Sequence, residues 1–308
     1  MKVLLATQKP FAAEAVEGIK NIITGAGHEF CLFEKYESEA ELAAIIEDVD
    51  ALIVRSDKVS SIVLDAAPQL KIVVRAGAGY DNIDIGAASE KGIVVMNTPG
   101  QNANAVAELA IALMIFMARN QFHPSTGSEI YGKTLGIQGF GNVGALIATR
   151  AAALGMNVLA YDPIRSLEDF LVYGVQPIED LKTLYRLSNY LSLNVPLLPD
   201  TRSSVGYELM SLMPKGALLV NTARKEIIDE QGLERALELR QDLKYATDVA
   251  PDNYALLSEK FGLRVYANSK KMGAQTAEAN INAGLAAARQ IVDYFNTGCT
   301  KFQVNNHK

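Results

Sequence analysis

The stretch "TLGIQGFGNVGALIATRAAALGMNVLAYD", residues 134–162, most narrows what this chain can fold into. An apolar run meets Gly139, Gly141 and Gly144 in the pattern G-x-G-x-x-G; a helical segment then runs to about Leu154, and a second apolar run ends at Asp162. Strand, glycine turn, helix, strand and closing acid together are the context in which such glycines cradle a dinucleotide. Gly139 permits the tight turn, Gly141 lets a pyrophosphate approach the backbone, and Gly144 lets the helix pack close to the strand. The helix start offers unpaired N–H groups and a partial positive charge to that pyrophosphate. Asp162 is placed to accept from ribose hydroxyls, and its charge disfavours a 2′-phosphate, so NAD is favoured over NADP. Arg165 softens that preference without reversing it.

The same alternation continues along the chain. "KVLLAT", "EFCLFE", "ALIVRS", "KIVVRA" and "IVVMN" read as strands of a first set, and "TLGIQG", "NVLAYD", "YLSLNV", "ALLVNT", "KYATDV" and "RVYAN" as a second. Short, continuously apolar runs suit parallel strands covered on both faces. Helix patterns lie between them at 11–25, 39–47, 84–91, 101–119, 142–154, 229–240 and 274–297. Alternation of this kind predicts an α/β architecture of two doubly wound parallel sheets. The sets divide near "MNTPGQN", residues 96–102, and the polar segment "RNQFHPSTGSEIYG" reads as a connection or hinge.

Composition narrows the function classes. A net charge of −6 gives no global field for nucleic acid or an anionic membrane. The two cysteines, Cys31 and Cys299, form neither a metal-ligand spacing nor a disulfide framework. The N-terminal apolar run lacks the features of a secretory signal, and "VAELAIALMIFMA" is too short to span a bilayer. The chain is read as cytoplasmic, with no nucleic-acid or membrane partner and no metal.

Cations at strand ends point to an acidic substrate. Arg55 and Ser56 follow one strand of the first set; Arg75 follows another, with Gly77 and Gly79 just after it. Ligands bind beyond the carboxyl ends of such strands. Arg55 is suited to a phosphate or carboxylate through paired hydrogen bonds. The "AGAG" turn offers backbone N–H groups to an anion, while Arg75 reads equally well as structural. In the second set, "LLVNTARKEIIDE" places Arg224 after the small residues Thr222 and Ala223. An arginine there can hold a carboxylate and polarise a keto group.

Together, "VRAGAGYDNID", "VVMNTPGQN", "YGKTLGIQGFGNVG", "NVPLLPDT", "NTARKEIIDE" and "TDVAP" resemble the D-isomer-specific 2-hydroxyacid dehydrogenases, over nearly the whole chain. The resemblance implies two Rossmann-like domains with the active site in the cleft between them, and a homodimer. Residues 1–98 with 280–308 would form the substrate-binding domain and 99–279 the NAD-binding domain, in a short form with no added regulatory module. Gly141, Asn142 and Val143 would meet the pyrophosphate, Asp162 the adenosine ribose, and Val195 and Pro196 the adenine side. Thr222, Ala223, Asp248 and Gly273 would line the nicotinamide end. Arg55, Ser56, Gly77 and Asn102 would contact substrate, and Arg224 would bind its carboxylate. The implied substrate is a small anionic phosphorylated 2-hydroxy acid: 3-phosphoglycerate, oxidised to 3-phosphohydroxypyruvate in serine biosynthesis.

The family completes its site with a histidine ahead of a Gly-Gly or Gly-Ala pair and a glutamate after the "DV" segment. Register on Gly273, Glu278 and Ala279 puts Lys271 at the first position, and register on "DVAP" puts Asn253 at the second. His28, His123 and His307 lie elsewhere. Lys271 is the expected acid/base, with Lys270 facing solvent. Burial and the neighbouring Arg224 would lower its pKa, and the absent glutamate would spare it a carboxylate that raises it. The alternatives are a glyoxylate or hydroxypyruvate reductase, which a panel of keto acids separates, and an NADH-sensing binding protein, for which the missing His–Glu pair speaks.

Overall fold

A computed structural model describes residues 1–305 and divides the chain into two compact units, Met1–Asn102 with Thr276 onward, and Ala103–Gln275. The first holds strands β1 (Lys2–Thr7), β2 (Glu29–Glu34), β3 (Ala51–Val54), β4 (Ile72–Arg75) and β5 (Val94–Asn97). Its helices are α1 (Ala13–Gly25), α2 (Glu39–Ala43), α3 (Ser61–Asp65), α4 (Ile85–Glu90) and the last helix of the chain, Ala277–Thr297. All strands pair in parallel, in the order β2-β1-β3-β4-β5. The order reverses between β1 and β3, and the loops beyond the carboxyl ends of those two strands form the unit's natural ligand crevice. Arg55 follows β3 directly.

The sheet is covered on both faces, which is why its strands read as unbroken apolar runs. Leu4, Leu42, Ile46, Leu52 and Val73 pack on one side; Leu5, Ile19, Ile53, Val74, Ala287 and Ile291 pack on the other, with the last helix lying against α1. Asn305 closes the unit. Its buried Oδ1 accepts from Val95 N–H at 2.7 Å, and its Nδ2 donates to the Ile93 carbonyl at 2.8 Å. His28, shifted to lower pKa by burial, packs edge-on to Phe295 at 5.4 Å between ring centroids. His307 lies outside the described residues.

The second unit holds α5 (Ala103–Ala118), β6 (Thr134–Gln138), α6 (Asn142–Ala153), β7 (Asn157–Tyr161), α7 (Leu167–Leu171), β8 (Gln176–Pro177), α8 (Leu181–Leu187) and β9 (Tyr190–Leu193). It continues through α9 (Tyr207–Met210), β10 (Leu218–Asn221), α10 (Glu230–Leu239), β11 (Lys244–Thr247), α11 (Tyr254–Phe261) and β12 (Val265–Ala267). The helix Ala277–Thr297 of the first unit is then α12. The sheet is again parallel throughout, in the order β12-β11-β10-β9-β6-β7-β8, and reverses between β6 and β9. Both sheets match the α/β expectation. The sequence reading did not name β8, a two-residue strand with a proline, which the sheet tolerates because β8 lies at its edge.

Two further expectations change. Residues 119–132 are not a hinge between the units but lie inside the second. Lys244 Nζ donates to Asn120 Oδ1 at 2.8 Å, and Gln121 Nε2 donates to the Leu263 and Val265 carbonyls, which ties the segment to the β11–β12 side of the sheet. The last helix also starts later than the expected residue 274: α12 begins at Ala277, with Thr276 as its N-cap. Among the described residues no helix is long and apolar enough to cross a membrane.

The turn into β11 is held by charge. Arg240 faces Asp242 with two bonds, Nε–Oδ1 at 2.9 Å and Nη2–Oδ2 at 2.6 Å, while donating to the Met213 and Pro214 carbonyls. That guanidinium, with the Gly216 N–H, holds the Asp242 carboxyl far below the ordinary carboxylate range. A depressed folded-state pKa contributes stability above the unfolded value of about 4, and the contribution is lost as pH falls through the folded value. Asp242→Asn is therefore expected to lower stability by about 1–2 kcal/mol at pH 7. In urea titrations run against pH, the gap from wild type should hold down to about pH 4 and close only in stronger acid.

Candidate functional site

The carboxyl ends of β6, β9, β10, β11 and β12 bring the second unit's candidate residues to one edge of its sheet. At β6 the three glycines are needed for three different reasons. Gly139 has φ +91°, and a Cβ there would stand 2.8 Å from the Asn194 carbonyl and 3.0 Å from Val195 Cγ1. A Cβ on Gly144 would stand 2.4 Å from the Gly139 carbonyl oxygen. A Cβ on Gly141 would meet nothing within 4 Å: this face of the turn is open, at the N-cap of α6, with Asn142 and Val143 opening the helix. Val195 packs toward the turn and Pro196 beside it is exposed. Asp162 Oδ2 accepts from Phe140 N–H at 2.8 Å and Oδ1 from Ile164 N–H at 3.1 Å. It thus clamps the glycine turn to the end of β7, and each oxygen keeps a lone pair for a further donor.

The loop after β10 carries Thr222, Ala223 and Arg224. The Ala223 carbonyl accepts from Arg224 Nη1 at 3.1 Å and from Lys271 Nζ at 2.5 Å. Lys271 Nζ also stands 3.6 Å from Asp248 Oδ1. Asp248 is fully buried, and its Oδ2 accepts from Gly273 N–H at 2.8 Å. A Cβ on Gly273 would lie 2.7 Å from that oxygen, so only glycine lets the carboxylate approach the backbone here. Burial pushes the Asp248 carboxyl above its ordinary range; Lys271, the Gly273 N–H and Arg224 oppose the shift.

One expectation about the lysine is overturned. A carboxylate does stand beside Lys271, supplied by Asp248 rather than by residue 253, whose side chain is Asn and whose N–H donates to Glu230 Oε2. The Lys271 side chain itself is 40% exposed. Lys270 is exposed, as expected.

In the first unit, Arg55 is half-buried. Its Nη2 donates to Asn280 Oδ1 at 2.5 Å and its guanidinium carbon lies 5.1 Å from the centre of the Phe11 ring. Burial lowers its pKa, against the charge of nearby Asp57. Ser56 beside it is exposed, and Asn102 is half-buried at the end of the unit's N-terminal segment. Half of the "AGAG" turn departs from expectation. The N–H groups of Ala76 and Gly77 are already donated, to the Val54 and Arg75 carbonyls, and are not available to an anion. The Arg75 side chain lies across Gly77 (φ +150°), and its Nε donates to the Arg55 carbonyl at 2.8 Å, which makes it a support for the Arg55 segment.

Sequence reasoning missed Asn221, which wraps the Thr222–Arg224 turn, and Asn280, which holds Arg55. It also missed Asp248 as the partner of Lys271. The nicotinamide end can be tested for fit. Thr222 Oγ1 and Asp248 Oδ1 are buried polar atoms with no hydrogen-bond partner, of the kind a carboxamide satisfies, and the Gly141 face is clear for a pyrophosphate. The glycines then separate by experiment. Gly141→Ala is expected to melt within about 2 °C of wild type, since it removes no contact, yet bind NADH at least about tenfold more weakly in a fluorescence titration. Gly144→Ala should instead lose stability, by about 1–3 kcal/mol from the forced clash.

The chain has relatives among known proteins. Residues 107–281 match the family model described as D-isomer specific 2-hydroxyacid dehydrogenase, NAD binding domain. A D-3-phosphoglycerate dehydrogenase of Methanocaldococcus jannaschii is 38% identical over 268 residues, 82% of this chain and 51% of that protein. A hydroxypyruvate reductase of Thermotoga maritima is 40% identical over 270 residues, 82% of this chain and 86% of that protein. This chain spans about half the length of several of the curated dehydrogenases it matches. An NAD+-bound crystal structure of 3-phosphoglycerate dehydrogenase from Entamoeba histolytica superposes with a TM-score of 0.94 at 46% identity, covering 100% of this chain and 99% of that one. With the glycine turn, the acid at the end of β7 and the family match over more than half its length, this chain belongs to the D-isomer specific 2-hydroxyacid dehydrogenases, and its second unit carries their NAD-binding domain.

Proposed function

We propose that the protein oxidises 3-phosphoglycerate to 3-phosphohydroxypyruvate with NAD, and reduces the keto acid in the reverse direction. NAD, when bound, supplies the acceptor for the hydride; Thr222, Ala223 and Asp248 would face its nicotinamide and the Gly139–Gly144 turn its pyrophosphate. Arg224 binds the substrate carboxylate and polarises the keto oxygen. Lys271, steadied by the Ala223 carbonyl and the Asp248 carboxylate, gives a proton to that oxygen during reduction and takes it back during oxidation. Ala223 thus links the two cations: its one carbonyl oxygen accepts from both.

The observation that carries the substrate choice is Arg55. It is a half-buried cation that takes part in none of the ion pairs among the described residues; its guanidinium is steadied by a neutral amide and a ring face. A charge partly withdrawn from water, with Asp57 nearby but in no direct ion pair with it, favours binding a dianionic group such as a phosphate. The kinship to a hydroxypyruvate reductase supports a second reading, in which the same arginine meets an unphosphorylated hydroxy acid.

NADH consumption with 3-phosphohydroxypyruvate, hydroxypyruvate and glyoxylate separates the two. On the first reading the phosphorylated keto acid has the highest kcat/KM. Arg55→Gln should then raise its KM by about 10- to 100-fold while leaving hydroxypyruvate nearly unchanged; equal effects on both would remove the phosphate role. Lys271→Met is expected to lower kcat by about 10²- to 10⁴-fold with NADH affinity kept within a few-fold. Turnover near wild type in that variant would end the acid/base assignment.

A further inference from the structure

We infer that Asn221 is a positioning residue for the proposed catalytic pair, holding Arg224 and Lys271 in register through the single turn of backbone between them. This rests on the reading of those two residues as catalytic. Asn221 is the last residue of β10 and is 1% exposed. Its own carbonyl accepts from Asp248 N–H at 3.2 Å, so its backbone is still part of the sheet ladder with β11. Its side chain reaches forward. Oδ1 accepts from Ala223 N–H at 3.0 Å, and Nδ2 donates to the Arg224 carbonyl at 2.9 Å.

Those two bonds hold the 222–223 and 224–225 peptides, which flank the 223–224 peptide that carries the Ala223 carbonyl. The carbonyl of Ala223 is the group on which the side chains of Lys271 and Arg224 converge. Once the chain leaves β10 its N–H and C=O groups have no strand to pair with, and buried groups of that kind must find other partners. A primary amide carries one donor end and one acceptor end at the right separation. Aspartate keeps the acceptor but sets an anion against the Arg224 carbonyl, and leucine of similar volume supplies neither.

The consequence is mechanical. Without the amide the turn can rotate, the Ala223 carbonyl moves, and both cations lose the same anchor. Misplacement of a reacting group by about 1 Å can cost about 10²-fold in rate. Asn221 touches neither reacting atom, so its effect must pass through Arg224 and Lys271.

The test is a pair of double-mutant cycles on the full chain, with 3-phosphohydroxypyruvate and NADH as substrates. Asn221→Leu and Asn221→Asp are expected to lower kcat by about 10- to 100-fold. In combination with Lys271→Met, or with Arg224→Ala, each should add less than about threefold to the loss from the partner variant alone, because the anchor then has less left to hold. A purely structural asparagine would give losses that multiply in both cycles, and that result, or wild-type kcat in both Asn221 variants, overturns the inference. Should Asn221→Leu fail to fold, Asn221→Asp alone decides, since it keeps the volume and one of the two bonds. Should Lys271→Met retain full turnover, the acid/base reading falls instead, and the cycle with Arg224 still decides for or against the anchor.

Discussion

The buried carboxylate of Asp248 is the constraint around which the second unit's site is organised. A fully buried charge is tolerated only when its surroundings answer it. Here the answer comes from the Gly273 N–H, from Lys271 and from the field of Arg224. Each reply dictates something else. The amide contact requires a glycine at 273, because any side chain would collide with the carboxylate oxygen. The lysine is drawn toward Asp248 at the end of β11 and meets the Ala223 carbonyl after β10 on the way. The loops after β10, β11 and β12 are thereby fastened to one another, although each leaves a different strand of the sheet.

How much of this was legible in the sequence depends on how local the cause is. The glycine turn was legible because its spacing is a local pattern: Gly139 takes a positive φ and Gly144 packs against the Gly139 carbonyl, while Gly141 leaves the helix start open. The parallel strands were legible because both faces of each sheet are covered, which leaves unbroken apolar runs such as "KIVVRA" and "ALLVNT". The short helices α3, α7, α8, α9 and α11 do not show in the sequence; most are too brief to show an amphipathic period, and packing rather than propensity holds them.

The pairing of Lys271 with Asp248 was not legible. Register identified the lysine, but its carboxylate comes from the end of a neighbouring strand, and a sequence shows no adjacency of that kind. The same holds for Asn221, which reads as an ordinary polar residue at a strand end. The "AGAG" turn shows the opposite error. Glycines suggested amide groups left open for an anion, whereas local hydrogen bonds already use two of the four, those of Ala76 and Gly77. Arg75, which the sequence left undecided, is resolved as a support because the carbonyl it reaches belongs to Arg55.

The first unit is built from both ends of the chain. Asn305 bonds Val95 across 210 residues, and α12 covers one face of the sheet formed by β1 to β5. During synthesis the opening segment therefore emerges from the ribosome with Leu5, Ile19 and Ile53 lacking the apolar cover that α12 later provides. The whole of the intervening unit is translated before that cover exists. In the order of translation, the glycine turn and the loops around Asp248 are complete before the unit whose first strands precede them.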